Sequence, residues 1–287
     1  MCAEKIFIYF TTNKYDSYVL LKTIFTLFSM LMKTLAIIGS GISGLTLATE
    51  LQQRFSVTVF EKSRGVSGRM ATRKAEPFMF DHGAQYFTVR DPDFKQWLTR
   101  HIPDQVLSVW RPRLFNLSRD KRNETFATDD WYIATPSMTG LCKRLAEGLA
   151  IQLNTEIRQL QFVDKQWYLT DQSGITHGPF DQLVSSAPCA QFTQLAGQYI
   201  ADSEFVSVTM SGCFSLMIGD HNLQATEFDA AKVQDSLISW IAVNSNKPQS
   251  YSEPSMIVHS SPSWAEKNFE LPSQSIQKLM LDELKVL

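Results

Sequence analysis

At 287 residues and 44% hydrophobic, the chain can bury a sizeable core, which excludes a disordered protein and favours two lobes over one. Its 27 basic residues nearly balance 29 acidic ones for a net charge of -2, so nothing draws it to a polyanion, and nucleic acid is excluded as a partner. Cys2, Cys142, Cys189 and Cys213 form no CxxC pair and accompany no histidine cluster, so neither a metal site nor a disulfide framework is indicated, and buried thiols in a reducing cytoplasm are the simpler reading.

Residues 1–31 fit poorly with the rest of the chain. The run Tyr18 to Leu31, YVLLKTIFTLFSML, is interrupted by Lys22 and falls short of the ~20 residues a spanning helix needs, and no small-residue cleavage site comes after it. Either this leader lies upstream of a start at Met30 or Met32, or it is a membrane-surface anchor. No membrane-spanning segment is expected.

Thr34 to Arg69, TLAIIGSGISGLTLATELQQRFSVTVFEKSRGVSGR, reads as strand, glycine-rich turn, helix, strand and basic glycine turn. The short apolar run Leu35 to Ile38 suits a parallel strand buried on both faces. Gly39 lets the chain turn tightly, Gly41 lets a pyrophosphate approach the backbone, and Gly44 lets the helix pack close to the strands. The helix starting near Ile42 turns Leu45, Leu47, Ala48 and Leu51 toward the sheet, and its first-turn amides suit a phosphate. Glu61 ends the second strand 20 residues after Gly41, where a carboxylate can accept both hydroxyls of an adenosine ribose. A tight structural turn is the plainer alternative. The next residues, Lys62 to Arg69, favour a flavin dinucleotide, because a glycine-arginine turn places a guanidinium beside the pyrophosphate. Arg64, Arg69, Arg73 and Lys74 cluster more tightly than a solvated loop requires.

Met79 to Arg90, MFDHGAQYFTVR, combines a strand-like pattern with a turn. Asp91 to Ile102 is expected to be a helix with Phe94, Trp97, Leu98 and His101 on one side. Val106 to Phe126 has the pattern of strands and loops, with Trp110, Arg111 and Arg113 as possible substrate-lobe contacts. Ser137 to Leu149 is predicted as a helix preceded by Pro136, followed by a strand over Ile151 to Thr155 and a strand-turn-strand segment carrying Trp167 and Tyr168. Phe180 to Ala187 reads as a further buried parallel strand. Further on, VSVTMSGCFSLMI (206–218) and LISWIAV (237–243) suggest strands of a second sheet. His259 ends the strand SMIVH and either lines an aromatic cavity with Trp264 nearby or is a core or rim histidine. SQSIQKLMLDELKVL closes the sequence as a helix.

KSRGVSGRM followed by DHGAQYFTVRD, with WIAVNSNKP at Trp240 to Pro248 and then His259 and Trp264, resembles the bacterial renalases, a branch of the FAD-dependent amine oxidase superfamily. The likeness runs from about Met32 to near the end. It implies an α/β fold with a discontinuous Rossmann-like FAD lobe (32–78 and 132–189), a mixed-sheet substrate lobe (79–131 and 190–265) and a C-terminal helical stretch (266–287). It also implies an FAD site from Gly39, Ser40, Gly41, Gly44, Glu61, Lys62, Gly68, Arg69, Met70, Ala84 and Gln85, with Ile157 at the adenine or, on its residue type alone, in the core. Tyr86, Asn244 and His259 become the catalytic candidates. The implied reaction oxidises small-molecule 2- or 6-dihydro isomers of NAD(P), with dioxygen as the final acceptor and no essential general base. Renalases continue with a glycine-aspartate motif and a final helix that closes the FAD site; the sequence here ends ahead of that segment. An amine oxidase with an aromatic substrate cage, or a non-catalytic dinucleotide-binding protein, fits the same residues.

Overall fold

The structure, a computed structural model, describes residues 32–199, 208–248 and 253–287. The leader and part of the strand expected over 206–218 lie outside them; within them that strand is Ser215–Gly219.

The apolar run at the start forms β1 (Lys33–Ile38), with Leu35, Ala36 and Ile37 fully buried. It is followed by α1 (Ile42–Leu51) and β2 (Phe55–Phe60). β1 and β2 pair in parallel from Lys33 opposite Phe55 to Ile38 opposite Phe60, so α1 is the crossover of a βαβ unit. Ala150–Gln152 adds outside β2 and Gln182–Ser185 outside β1, giving a parallel sheet of four strands. The expected strand from Phe180 divides at Asp181. Phe180 ends the antiparallel strand Thr176–Phe180, and the parallel strand begins at Gln182. The Asp181 carboxylate accepts the Thr34 N–H at 2.7 Å and its hydroxyl at 3.0 Å, which pins the corner to the start of β1.

The helix expected over Ser137 to Leu149 is shorter, Thr139–Ala146, because Gly148 turns the chain at φ +79° into the next strand. It packs on α1 through Leu45, Leu141 and Leu145. The helix expected from Asp91 spans Pro92–His101 and is capped by Asp91, whose carboxylate accepts the Phe94 N–H at 2.8 Å.

A mixed sheet of six strands runs in the order Ser215–Gly219, Ser255–Ser260, Ile238–Val243, Ala230–Val233, Leu114–Leu117, Arg122–Thr125. The C-terminal helix Ser273–Leu284 covers one face through Ile276 and Met280. A small sheet of Phe87–Thr88, Trp131–Ala134 and Leu107–Trp110 stands between the two larger ones. Its residues share one buried cluster with Leu45 and Leu141 on one side and Ala230 and Ala242 on the other. Cys142 lies in that cluster, its thiol pushed up to about 11 by burial. Among the described residues no helix is long and apolar enough to cross a membrane.

Candidate functional site

The glycine turn is shaped by two close approaches and one opening. Gly39 leaves β1 at φ +100°, and its N–H donates to the Phe60 carbonyl at 2.8 Å, which fixes the turn to β2. A Cβ on Gly44 would stand 2.1 Å from the Gly39 carbonyl oxygen, so only glycine lets α1 sit this close. Gly41 differs: no atom lies within 4 Å of where its Cβ would be. It is the N-cap of α1, whose N-terminus carries neither a side-chain cap nor an acidic first-turn residue. Open space in front of uncapped amides is a seat for an anion. The second glycine turn closes over this one. The Ser67 N–H donates to the Ser40 carbonyl at 3.0 Å, Ser67 bridges to Gly41, and a Cβ on Gly68 would lie 3.4 Å from the Gly41 Cα. Arg64 and Arg69 are exposed beside it.

Glu61 is buried and serves the turn directly. One carboxylate oxygen accepts the Ser40 N–H at 2.9 Å and the Ser40 hydroxyl at 2.8 Å, and the other accepts the Ser63 N–H at 2.8 Å. Burial pushes its pKa up, but the hydrogen bonds from Ser40 and Ser63 outweigh it and hold the carboxyl below its usual range. A carboxylate offers about four acceptor positions. With three used by the chain, about one remains open. Lys62 is exposed and reaches Gln191 Oε1 at 3.3 Å, and Ile157 is buried against Ala36, Phe60 and Leu160.

The loop Asp81 to Gln85 connects this cradle to the second sheet. The Ala84 N–H donates to the Arg69 carbonyl at 2.9 Å, and a Cβ on Gly83 would be 2.1 Å from that same oxygen. Met70 is buried beneath the turn. Gln85 Nε2 donates to the Gly83 carbonyl at 3.1 Å and to the Asp81 carbonyl. Tyr86 then stacks on Trp131 with centroids 3.7 Å apart and planes at 6°, so no ring can enter between them. Trp240 lies 5.8 Å from each.

Trp240 and His259 are cross-strand partners and therefore share a face of the six-stranded sheet. His259 Nε2 lies 3.1 Å from the His82 carbonyl, which only accepts, so the proton sits on Nε2. The structure thus places both Tyr86 and His259 beside Trp240. Asn244, also expected here, turns its amide to the Met79 carbonyl at 3.0 Å. Asn244 Oδ1, His82 Nδ1 and Trp240 Nε1 are buried and have no hydrogen-bond partner among the described residues. Such atoms call for a ligand or water. Burial lowers the pKa of His259 and His82 and raises that of Tyr86, so at neutral pH all three side chains are uncharged.

Sequence reasoning passed over Lys247, although it lies within WIAVNSNKP. Its ammonium pairs with Asp81 Oδ2 at 3.1 Å and Gln85 Oε1 at 3.3 Å, with only 2% and 5% of the Lys247 and Asp81 side chains exposed. It also sits 5.5 Å over the Trp110 ring. Arg111 and Arg113 are instead surface residues paired with Asp130 and Asp229. His101 packs on Trp97 and meets Glu50 at 3.4 Å, and Trp264 packs on Phe214. A cavity of about 190 Å³ beside Leu98, Ile102 and Tyr132 lies apart from the aromatic cluster.

A parallel sheet with this glycine turn defines a Rossmann-like α/β fold. Residues 37–100 match the protein family described as NAD(P)-binding Rossmann-like domain. Over most of its length the chain shares its fold with a protein from Exiguobacterium sp. 255-15 assigned as a protoporphyrinogen oxidase, at TM-score 0.71 and 13% identity, covering 88% of this chain and 82% of that one. A triple mutant of putrescine oxidase aligns at TM-score 0.67 and 13% identity, covering 89% and 81%. The CLA-producing fatty acid isomerase of P. acnes aligns at 0.66 and 11%, covering 88% and 82%. Among curated proteins, 4,4'-diapophytoene desaturase of Staphylococcus haemolyticus (strain JCSC1435) is 40% identical over 58 residues, 20% of this chain and 12% of that protein. The Staphylococcus aureus (strain Newman) enzyme is 44% identical over 50 residues, 17% and 10%. The chain therefore spans about a tenth of the length of these curated relatives.

Proposed function

We propose that this chain is an FAD-dependent oxidoreductase of renalase type that oxidises 2- or 6-dihydro isomers of NAD(P) in the cytoplasm and passes the electrons to dioxygen. The observation that carries the reading is the open face of Gly41 at the uncapped start of α1, roofed by the Gly68 turn and joined through the loop Asp81 to Gln85 to a cluster of neutral aromatic and imidazole side chains. The α1 amides with Arg69 would hold the pyrophosphate, and Glu61 one ribose hydroxyl.

Bound FAD supplies the two-electron acceptor, so that a dihydropyridine, dioxygen and one proton give a pyridinium and hydrogen peroxide. The chain's own residues position and shield. Tyr86 and Trp240 offer apolar ring faces to a flat substrate. His259 and His82, kept neutral by burial, do not repel the positive charge that the substrate ring acquires. No residue needs to remove a proton, because the ring nitrogen itself drives hydride loss.

Purified protein incubated with FAD should turn yellow, and anaerobic mixing with 2- or 6-dihydro NAD should bleach the visible flavin absorbance. Bleaching by amines and not by dihydronicotinamides would overturn the substrate in favour of amine oxidation. Protein that stays colourless would overturn the cofactor as well.

A further inference from the structure

The buried pair of Lys247 and Asp81 has no part in the reaction just described, yet it ties the loop Asp81 to Gln85 to Thr72, to the start of the helix packed on α1 and to the turn after the strand bearing Trp240. A buried ion pair is poor evidence of stability, since a well-packed apolar pair of similar volume often serves as well or better. The connections it makes are more informative. Asp81 Oδ1 accepts the Thr72 hydroxyl at 2.7 Å and the Met138 N–H at 3.0 Å. Thr72 in turn exchanges hydrogen bonds with Thr139, at 2.8 and 3.2 Å, where the helix packed on α1 begins. Asp81 Oδ2 takes Lys247, which arrives from the far side, at the end of the turn that follows the strand bearing Trp240. The third member is Gln85, held by Lys247 at its oxygen and by the Asp81 and Gly83 carbonyls at its nitrogen. Each side-chain polar atom of Asp81 and Gln85 thus has a partner, and the partners come from Thr72, from the start of the helix packed on α1, from the turn after the strand bearing Trp240 and from the loop itself.

We infer that Lys247, acting through Asp81 and Gln85, is a positioning residue that sets the loop Asp81 to Gln85, and with it Tyr86, against the Arg69 turn. The inference rests on the FAD reading only for the ligand that the turn receives. The Lys247 ammonium is held by Asp81 Oδ2, Gln85 Oε1 and the face of the Trp110 ring. It fixes the loop whose Gly83 and Ala84 lie on the Arg69 carbonyl, and so sets the spacing between the glycine cradle and the aromatic faces.

The test uses two variants of the full chain. Lys247→Met/Asp81→Asn removes both charges while leaving a side-chain oxygen for Thr72 and Met138. Gln85→Met leaves the ion pair and cuts its link to the loop. Amide hydrogen exchange is read over residues 81–86 without cofactor, together with the melting temperature and the FAD dissociation constant. The expected result is faster exchange at 81–86 in both variants. FAD binding should weaken about tenfold, the scale of one lost hydrogen bond to a charged group, while the double variant melts close to wild type. Unchanged exchange and unchanged FAD affinity in a folded variant would overturn the inference. Should the double variant fail to fold, Gln85→Met decides by the same two readouts. If wild-type protein binds no FAD, the cofactor reading fails separately, and the exchange measurement still decides whether Lys247 orders the loop.

Discussion

Glu61 accepts three hydrogen bonds from its own chain before any ribose can reach it, and its removal is therefore felt without a ligand. Glu61→Gln keeps the shape but turns an amide NH2 toward a Ser40 or Ser63 N–H, losing at least one hydrogen bond to a charged group, about 1.5–3 kcal/mol. The pH dependence carries the sign. The folded-state pKa lies below the unfolded value, so the stabilisation is present above the ordinary glutamate range of about 4.3 and is lost as pH falls through the folded value. Urea denaturation should show Glu61→Gln less stable than wild type at pH 7, with the gap narrowing at pH 3; a constant gap would mean the carboxylate charge is not what matters. Gly39, Gly41, Gly44 and Glu61 were readable because a βαβ unit brings the end of its second strand back beside the first turn at a set distance in sequence. Lys247 was not. Lysine is the side chain least expected inside, and its partner Asp81 lies 166 positions away, beyond any periodicity.

At the level of the strand-turn-helix unit, the glycines separate by what surrounds them. A side chain at Gly44 meets the Gly39 carbonyl at 2.1 Å and Ser186 Oγ at 2.7 Å, so α1 must move off β1. Gly44→Val should lower stability by about 1–3 kcal/mol or prevent folding. Gly41 has an ordinary φ of -71° and open space before it, so Gly41→Val should keep the wild-type melting temperature and lose FAD binding. Thermal melts and FAD titrations of the two variants check this; a folded Gly41→Val protein with wild-type affinity would move the pyrophosphate elsewhere. Elements dominated by periodicity, such as α1 and Pro92–His101, were legible in the sequence. The break between Phe180 and Gln182 was not, because the contact that pins its corner, between Asp181 and Thr34, joins residues distant in sequence. The parallel pairing of Ala230–Val233 with Leu114–Leu117 was hidden for the same reason.

Across the whole molecule, a single buried cluster joins the parallel sheet's helices to the six-stranded sheet, running from Leu45 and Leu141 through Trp131 to Ala230 and Ala242. The aromatic contacts of Tyr86 and the ion pair of Lys247 cross the same junction. Two sheets with this much shared interior cannot unfold one at a time without exposing the larger part of it. The expected behaviour is one cooperative transition, and a ligand seated on the glycine cradle should raise all of it. At a free FAD concentration 100-fold above its dissociation constant, mass action adds about 2.7 kcal/mol. For a protein of this size that is roughly 5–10 °C in melting temperature. Scanning calorimetry with and without FAD measures the shift, and Gly41→Val, which should fold but not bind, supplies the control that shows none. Two separate transitions, with FAD moving only one, would mean that the cluster at Trp131 does not couple the sheets.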